Sequence, residues 1–266
     1  MMTGTVSRAE FQNRDANSNA ALLFWGALAV GIVTGILFIA FPAIDLETSA
    51  VFYRGHGIFA GKGGGIFSGP PTTVADFTRL SLYISFVGVC IIDLIGIAIS
   101  SIGKRRFLGL GTPKWLFLAA CLVLGPGIVG NVILKDHWGR ARPVHTIEFG
   151  GTKSFSPPII PSDQCDRNCS FVAGEASMMY ATFFAAAFLF PTFGRRLILA
   201  GVLMGLFAGV VRISQGAHFL SDVVFAGVTM ALTVAGVYAL SGPIMRLLQI
   251  DADTPAENPP TRRSVS

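Results

Sequence analysis

Residues 21–41 read Ala-Leu-Leu-Phe-Trp-Gly-Ala-Leu-Ala-Val-Gly-Ile-Val-Thr-Gly-Ile-Leu-Phe-Ile-Ala-Phe, with no charge anywhere in the run. Such a stretch has the length of the ~20 helical residues that cross a ~30 Å hydrocarbon core. No water is available there to satisfy backbone groups, so the run must be a helix. It is too long for a cleavable signal, and no small-residue cleavage site follows it. Five further runs repeat the pattern: Leu80–Ser101, Trp115–Leu134, Ala173–Phe190, Leu197–Val211 and Asp222–Leu240. The fifth of the six is short, and a full crossing would carry it past Arg212. The expectation is an all-α polytopic membrane protein with six transmembrane helices. Residues 20–242 form the membrane domain, and residues 1–19 and 243–266 read as polar, disordered tails on the cytoplasmic side.

Composition agrees. Of 266 residues, 52% are hydrophobic and 13% charged, where a soluble domain carries about 25% charge. The 31 glycines suit helices that approach closely in lipid. Gly31/Gly35 and Gly201/Gly205 are small-xxx-small pairs, read as packing within one bundle rather than as dimer contacts. No internal repeat is visible. The net charge of +5 reflects topology and does not imply nucleic acid. The four Cys and four His never fall at zinc spacings, so neither a metal nor another cofactor is expected.

Basic residues orient the chain. With the N-terminus inside, the cytoplasmic segments hold Arg8, Arg14, Lys104, Arg105, Arg106, Lys114, Arg195, Arg196, Arg246, Arg262 and Arg263. The external ones hold Arg54, Lys62, Arg79, Lys135, Arg140, Arg142, Lys153, Arg167 and Arg212. The 104–106 and 195–196 clusters are cytoplasmic anchors. The external cations gather at helix ends, against the rule, and charge placed where topology disfavours it marks function. Residues 42–79 make a Gly-rich external loop with Gly61, Gly63, Gly64, Gly65 and the turn pair Pro70-Pro71. Residues 143–170 make a second, rich in Pro and Ser.

Three segments at external helix ends carry chemistry: Lys135-Asp-His-Trp-Gly-Arg-Ala-Arg142-Pro143, Cys169-Ser-Phe-Val-Ala-Gly174-Glu175, and Arg212-Ile-Ser-Gln-Gly-Ala-His218-Phe-Leu-Ser-Asp222. Lys135, Arg142 and Arg212 supply three cations, the arginines able to hold phosphate oxygens bidentately. Gly174 lies where a helix begins, and its N–H groups suit an anion. His218 and Asp222 are four apart and share a face on a helix, so Asp222 is expected to accept from one imidazole nitrogen and aim the other at an electrophile. Glu175 is the candidate proton donor for a leaving oxygen. Together these residues describe phosphoryl transfer through a phosphohistidine.

These segments resemble the type 2 phosphatidic acid phosphatases, which share their site with vanadium haloperoxidases. The family pattern is K-x6-R-P, P-S-G-H and S-R-x5-H-x3-D. Lys135, Arg142 and Pro143 complete the first. Arg212, His218 and Asp222 keep the third, with Val211 in place of Ser. The second departs most: Gly174 stays, while Val172, Ala173 and Glu175 replace Pro, Ser and His. The resemblance implies that His218 is the nucleophile, Asp222 its partner, and Lys135, Arg142, Arg212 and the Gly174 N–H the phosphate ligands. Glu175 takes the position of the family's proton-donating His. The run Ser170-Phe171-Val172-Ala173-Gly174-Glu175 is similar to the branch that contains bacterial lipid A phosphatases, particularly those acting at the 4′ position.

The implied activity is hydrolysis of a phosphate monoester on a lipid facing the periplasm of a bacterial inner membrane, lipid A first. Undecaprenyl pyrophosphate or phosphatidylglycerophosphate are the alternative substrates. A lipid phosphotransferase using the same site and a binder without turnover are the rivals of other classes. Arg140 reads as a lipid-phosphate or surface contact. His56, His137 and His145 read as loop residues, and Cys90 and Cys121 as small apolar packers. Cys165 and Cys169 flank a short external loop where an oxidising compartment permits a disulfide.

Overall fold

A computed structural model describes residues 8–62, 71–103 and 105–253, without the side chains of 8–10 and 242–253. Gly63, Gly64, Gly65, Pro70, Lys104, Arg262 and Arg263 lie outside the described residues. The elements are α1 (Arg8–Ala40), α2 (Ala43–Ala50), α3 (Val74–Ile102), α4 (Thr112–Leu122), α5 (Gly174–Leu189), α6 (Gly194–Ser214) and α7 (Leu220–Asp253). Beyond α4 the helix continues in wider π-type turns over Val123–Lys135. Pro126 sits inside that stretch, where its missing N–H breaks the regular α ladder. Among the described residues no strand forms, only isolated bridges.

Among the described residues five helical spans are long and apolar enough to cross a membrane: Phe11–Ala40, Val74–Ile102, Thr112–Lys135, Pro191–Ser214 and Leu220–Ser241. The run expected over 173–190 becomes α5, which has 16 residues and spans roughly 24 Å at 1.5 Å per residue. α5 is the centre of the bundle, packed against α6, α7, α4 and α3. Glycines let it sit close. A Cβ on Gly205 would lie 2.4 Å from the Tyr180 ring, and one on Gly201 would lie 2.8 Å from Phe183. Gly31 meets Val228, and Gly35 meets Phe225, so both small-residue pairs pack inside the bundle. The outer faces stay apolar: Trp25, Val33 and Ile36 of α1, Leu94 of α3, and Leu199 and Leu203 of α6 are exposed. Apolar surface this extensive on α1, α3 and α6 suits contact with lipid.

One end of the bundle corrects a boundary. α1 begins at Arg8, inside the stretch expected to be a tail. Packing explains the extension. Asn19 is buried and its amide donates to the Ala187 and Pro191 carbonyls at 3.3 and 3.4 Å. Asn17 accepts from the Tyr238 hydroxyl at 3.1 Å. At the opposite end meet the C-termini of α1 and α6, the end of the π turns, and the N-termini of α3, α5 and α7. There the first loop folds into α2, a helix not foreseen, whose Asp45 accepts from the Ser221 N–H of α7 at 2.8 Å. Thr73 caps α3 by accepting from the Asp76 N–H. Every candidate site residue lies at this end.

Candidate active site

The segment 135–143 is bent by Gly139. Its φ is +71°, and a Cβ there would stand 1.6 Å from the Ser162 carbonyl oxygen, so no side chain fits. The bend sends two arginines to different places. Arg142 reaches a cavity of about 400 Å³. Its Nη2 donates to the Asn168 carbonyl and side-chain oxygens, both at 2.7 Å, and its Nε to the same carbonyl at 3.1 Å. Arg140 goes inward and is fully buried, which corrects its reading as a surface or lipid-phosphate contact. It donates to the Ser156 carbonyl, the Ser221 hydroxyl, Asp45 and Asp222, and lies 4.5 Å from the Phe219 ring centroid. A buried guanidinium needs such partners, and two carboxylates were in reach.

His218 is fully buried in the short turn between α6 and α7. Its Nδ1 lies 2.6 Å from the Ser170 carbonyl oxygen. A carbonyl only accepts, so Nδ1 carries the proton and Nε2 holds the lone pair. Nε2 has no hydrogen-bond partner among the described residues. The expected direct bond to Asp222 is not made, since Asp222 Oδ2 lies 3.8 Å from Nδ1. The i, i+4 argument assumed a helix, and α7 starts only at Leu220. Asp222 acts one step removed. It accepts from the Ser170 hydroxyl at 2.5 Å and the Phe219 N–H at 2.8 Å, fixing the segments on either side of the imidazole. Burial, reinforced by Lys135, Arg142 and Arg212 and opposed by Asp222, pushes His218 down from 6.5 to about 4. The ring is therefore neutral, and Nε2 nucleophilic, at neutral pH.

The cations converge on the α5 N-terminus. Lys135 ends the π turns, and a Cβ on Gly174 would lie 2.7 Å from its Nζ, so glycine makes room for the ammonium. No side chain caps α5, which leaves its first N–H groups for an anion. Arg212 is buried. It donates to Gln215 Oε1 at 2.5 Å, and Gln215 donates to Asp76 at 2.9 Å. Glu175 sits among these cations. Its Oε1 accepts from Arg79 Nε at 2.6 Å, and its Oε2 lies 3.3 Å from Arg212 Nε. That is the setting of a carboxylate ordering two guanidiniums, which its reading as an acid alone did not foresee.

The cavity is lined by Arg79, Arg142, Arg212, Asp76, Asn168 and Gln215, with Lys62, His145 and Arg167 farther along its wall. Burial and the neighbouring Arg142, Lys62 and Lys153 lower the pKa of His145, so it does not add positive charge. Cys165 and Cys169 are joined, and the loop they close presents Asn168 to Arg142. Sequence reasoning thus brought together Lys135, Arg142, Gly174, Glu175, Arg212, His218 and Asp222. It missed Arg79, Asp45, Ser170 and Asn168, and misplaced Arg140. Only Arg79 carried a signal, as an external cation at a helix start. His56 stays in a loop away from this wall, whereas His137, read as a loop residue, lies in the helical turn that ends the π stretch, its Nδ1 2.8 Å from the Val132 carbonyl oxygen.

Fold and site together define a helical membrane protein that surrounds a neutral, nucleophilic imidazole with lysine and arginine, an arrangement for binding and transferring a phosphate-type anion. The PAP2 superfamily model matches residues 114–246, and the chain belongs to the PAP2 superfamily. It is 39% identical over 217 residues to the lipid A 4′-phosphatase of Francisella tularensis subsp. novicida, covering 80% of this chain and 93% of that one. It is 31% identical over 226 residues to the lipid A 4′-phosphatase of Rhizobium leguminosarum, covering 82% and 93%. The lipid A 1-phosphatase of Rhizobium johnstonii matches over 47% of this chain and 48% of its own, at 33% identity. No solved structure matches.

Proposed function

We propose that this protein is a lipid phosphatase of a bacterial inner membrane that hydrolyses the 4′-phosphate of lipid A. The observation that carries the reading is the His218 Nε2, without a hydrogen-bond partner among the described residues and next in the chain to Ala217, which lines a cavity walled by Arg79, Arg142 and Arg212. The position on the lipid follows the lipid A 4′-phosphatases of Francisella tularensis subsp. novicida and Rhizobium leguminosarum, each matched over 93% of its length, where the 1-phosphatase is matched over 48%.

Lys135, Arg142, Arg212 and the N–H groups at Gly174 take the non-bridging phosphate oxygens. Their fixed charge stabilises the transferring group, which is where most phosphoryl-transfer catalysis resides. His218 Nε2 attacks phosphorus, and the bond to the sugar oxygen breaks. Asp222 and the Ser170 carbonyl hold the ring and favour the positive charge it acquires. The second pKa of a phosphate monoester is near 6, so a monoanion brings a proton it cannot keep among these cations. As the phosphate takes over Arg79 and Arg212, Glu175 receives that proton and passes it to the leaving oxygen. Water then attacks the phosphohistidine, releasing phosphate and restoring His218.

The membrane arrangement that fits is six crossings with both termini cytoplasmic, α5 being the fourth. Arg105, Arg106, Arg195 and Arg196 then lie on the cytoplasmic side, and the catalytic end opens to the periplasm. Two measurements test the reading. Mass spectrometry of lipid A from cells with and without the protein should show loss of one phosphate, at the 4′ position, only where the protein is present. Unchanged lipid A would overturn the substrate. Periplasm-dependent reporters should be active when fused after residue 153 and silent after Arg106, and the reverse would overturn the sidedness.

A further inference from the structure

Arg79 belongs to none of the three motif segments, yet it is built into the site. Thr73 caps the start of α3. Asp76 accepts from the Thr72 N–H at 3.2 Å and from Gln215 at 2.9 Å. The same Gln215 holds Arg212, so the first turn of α3 is tied to the end of α6. Arg79 is thereby posted beside Arg212. Its side chain is only 17% exposed, and it lines the cavity together with Arg142 and Arg212. Its Nε is engaged by Glu175 at 2.6 Å. A guanidinium has five N–H donors in a planar fork, so this contact leaves the two terminal groups for another oxyanion.

Charge explains the pairing. Arg79, Arg142 and Arg212 share one wall, with Lys135 behind it at Gly174, and like charges this close repel when nothing lies between them. Glu175 is the carboxylate in contact with Arg79 and Arg212. An incoming phosphate offers the same guanidiniums more oxygens and more charge than a carboxylate does. We propose that Arg79 is a fourth phosphate-binding residue, held by Glu175 while the site is empty and handed to the substrate phosphate on binding. The inference rests on the phosphatase reading above and adds a ligand that the motif segments lack. Glu175 is then a placeholder for the phosphate as well as a carrier of its proton.

The test is binding of inorganic phosphate to the full-length protein in detergent, by calorimetry, in four forms: wild type, Arg79→Ala, Glu175→Ala and the double variant. Glu175→Ala removes the competing carboxylate, so phosphate binds at least as tightly as to wild type. Adding Arg79→Ala to that background weakens binding by about tenfold or more, the size of one charge-assisted hydrogen bond. If Arg79 exists only to serve Glu175, its loss in the Glu175→Ala background changes affinity less than about twofold, and the inference is overturned. Should the double variant fail to keep the wild-type melting temperature, Arg79→Gln alone decides. It still donates to Glu175, and it must show a comparable weakening; wild-type affinity there also overturns the inference. Wild type that binds no phosphate would bring down the phosphatase reading with it, whereas tight binding indifferent to Arg79 would remove only the fourth ligand.

Discussion

Arg140 and Arg142 stand two residues apart in one segment and end in opposite environments. Arg140 is fully buried, with Asp45, Asp222, Ser221 and the Ser156 carbonyl around it. Arg142 reaches the cavity and is steadied from one side by Asn168. The first region is internally satisfied: one guanidinium bridges two buried carboxylates, and none of its donors is turned to the cavity. The second carries more cations than carboxylates, Arg79, Arg142 and Arg212 standing with Asp76 and Glu175, and under the proposed function an anion from outside completes it. Rigidity and reactivity are thus separated by the thickness of one loop. The buried region holds the segments that fix the imidazole, while the open region gathers the cations that the proposed function assigns to the phosphate. His218 lies on the boundary, with Nδ1 turned to the first region and Nε2 left free.

The boundary residue yields the largest expected effect. His218→Ala removes the proposed nucleophile and should lower kcat by about 10⁴-fold or more, with the melting temperature close to wild type. Activity within tenfold of wild type would exclude a phosphohistidine at this position.

The two arginines should then part company. Arg140→Ala strands two buried carboxylates, and breaking such a network costs about 3–5 kcal/mol, read as a large fall in melting temperature or loss of folded protein. Arg142→Ala should leave the melting temperature nearly unchanged and cut kcat/KM by about a hundredfold, chiefly through lost charge-assisted bonds to phosphate. If both variants behave alike, the division between buried and open regions is wrong.

Titration sharpens the boundary further. Nitrogen-15 spectra of labelled histidine should show His218 as the neutral Nδ1–H tautomer, protonating only near pH 4. A free imidazole would titrate near 6.5. Because the folded-state value is the lower one, the unfolded chain takes up the proton first. This residue's contribution to stability is therefore complete above pH 6.5 and is lost as pH falls from 6.5 towards 4. Protonation near 6.5 in the folded protein would mean that the ring is wet. The smallest expected effect is that of the disulfide. Cys165→Ser with Cys169→Ser loosens the loop that holds Asn168 against Arg142, and should lower kcat/KM a few-fold without moving the His218 titration.

The sequence by itself determined the helical membrane class, because long uncharged runs have only one way to satisfy their backbone in lipid. It also offered the candidate phosphate-binding set. Lys135, Arg142, Arg212 and His218 stand at helix ends where unpaired charge has no structural excuse, and their spacing places them together. Only the tertiary structure decided what each polar group faces. Nothing local in Arg140 and Arg142 separates a buried strut from a cavity-lining cation; the Gly139 bend and the distant Asp45, 95 residues away in the chain, make that choice. The same holds for Ser170, whose carbonyl replaces Asp222 as the acceptor of the imidazole proton, and for Arg79, brought to Glu175 across 96 residues. Burial and charge compensation are sums over neighbours in space, and the chain order does not list those neighbours.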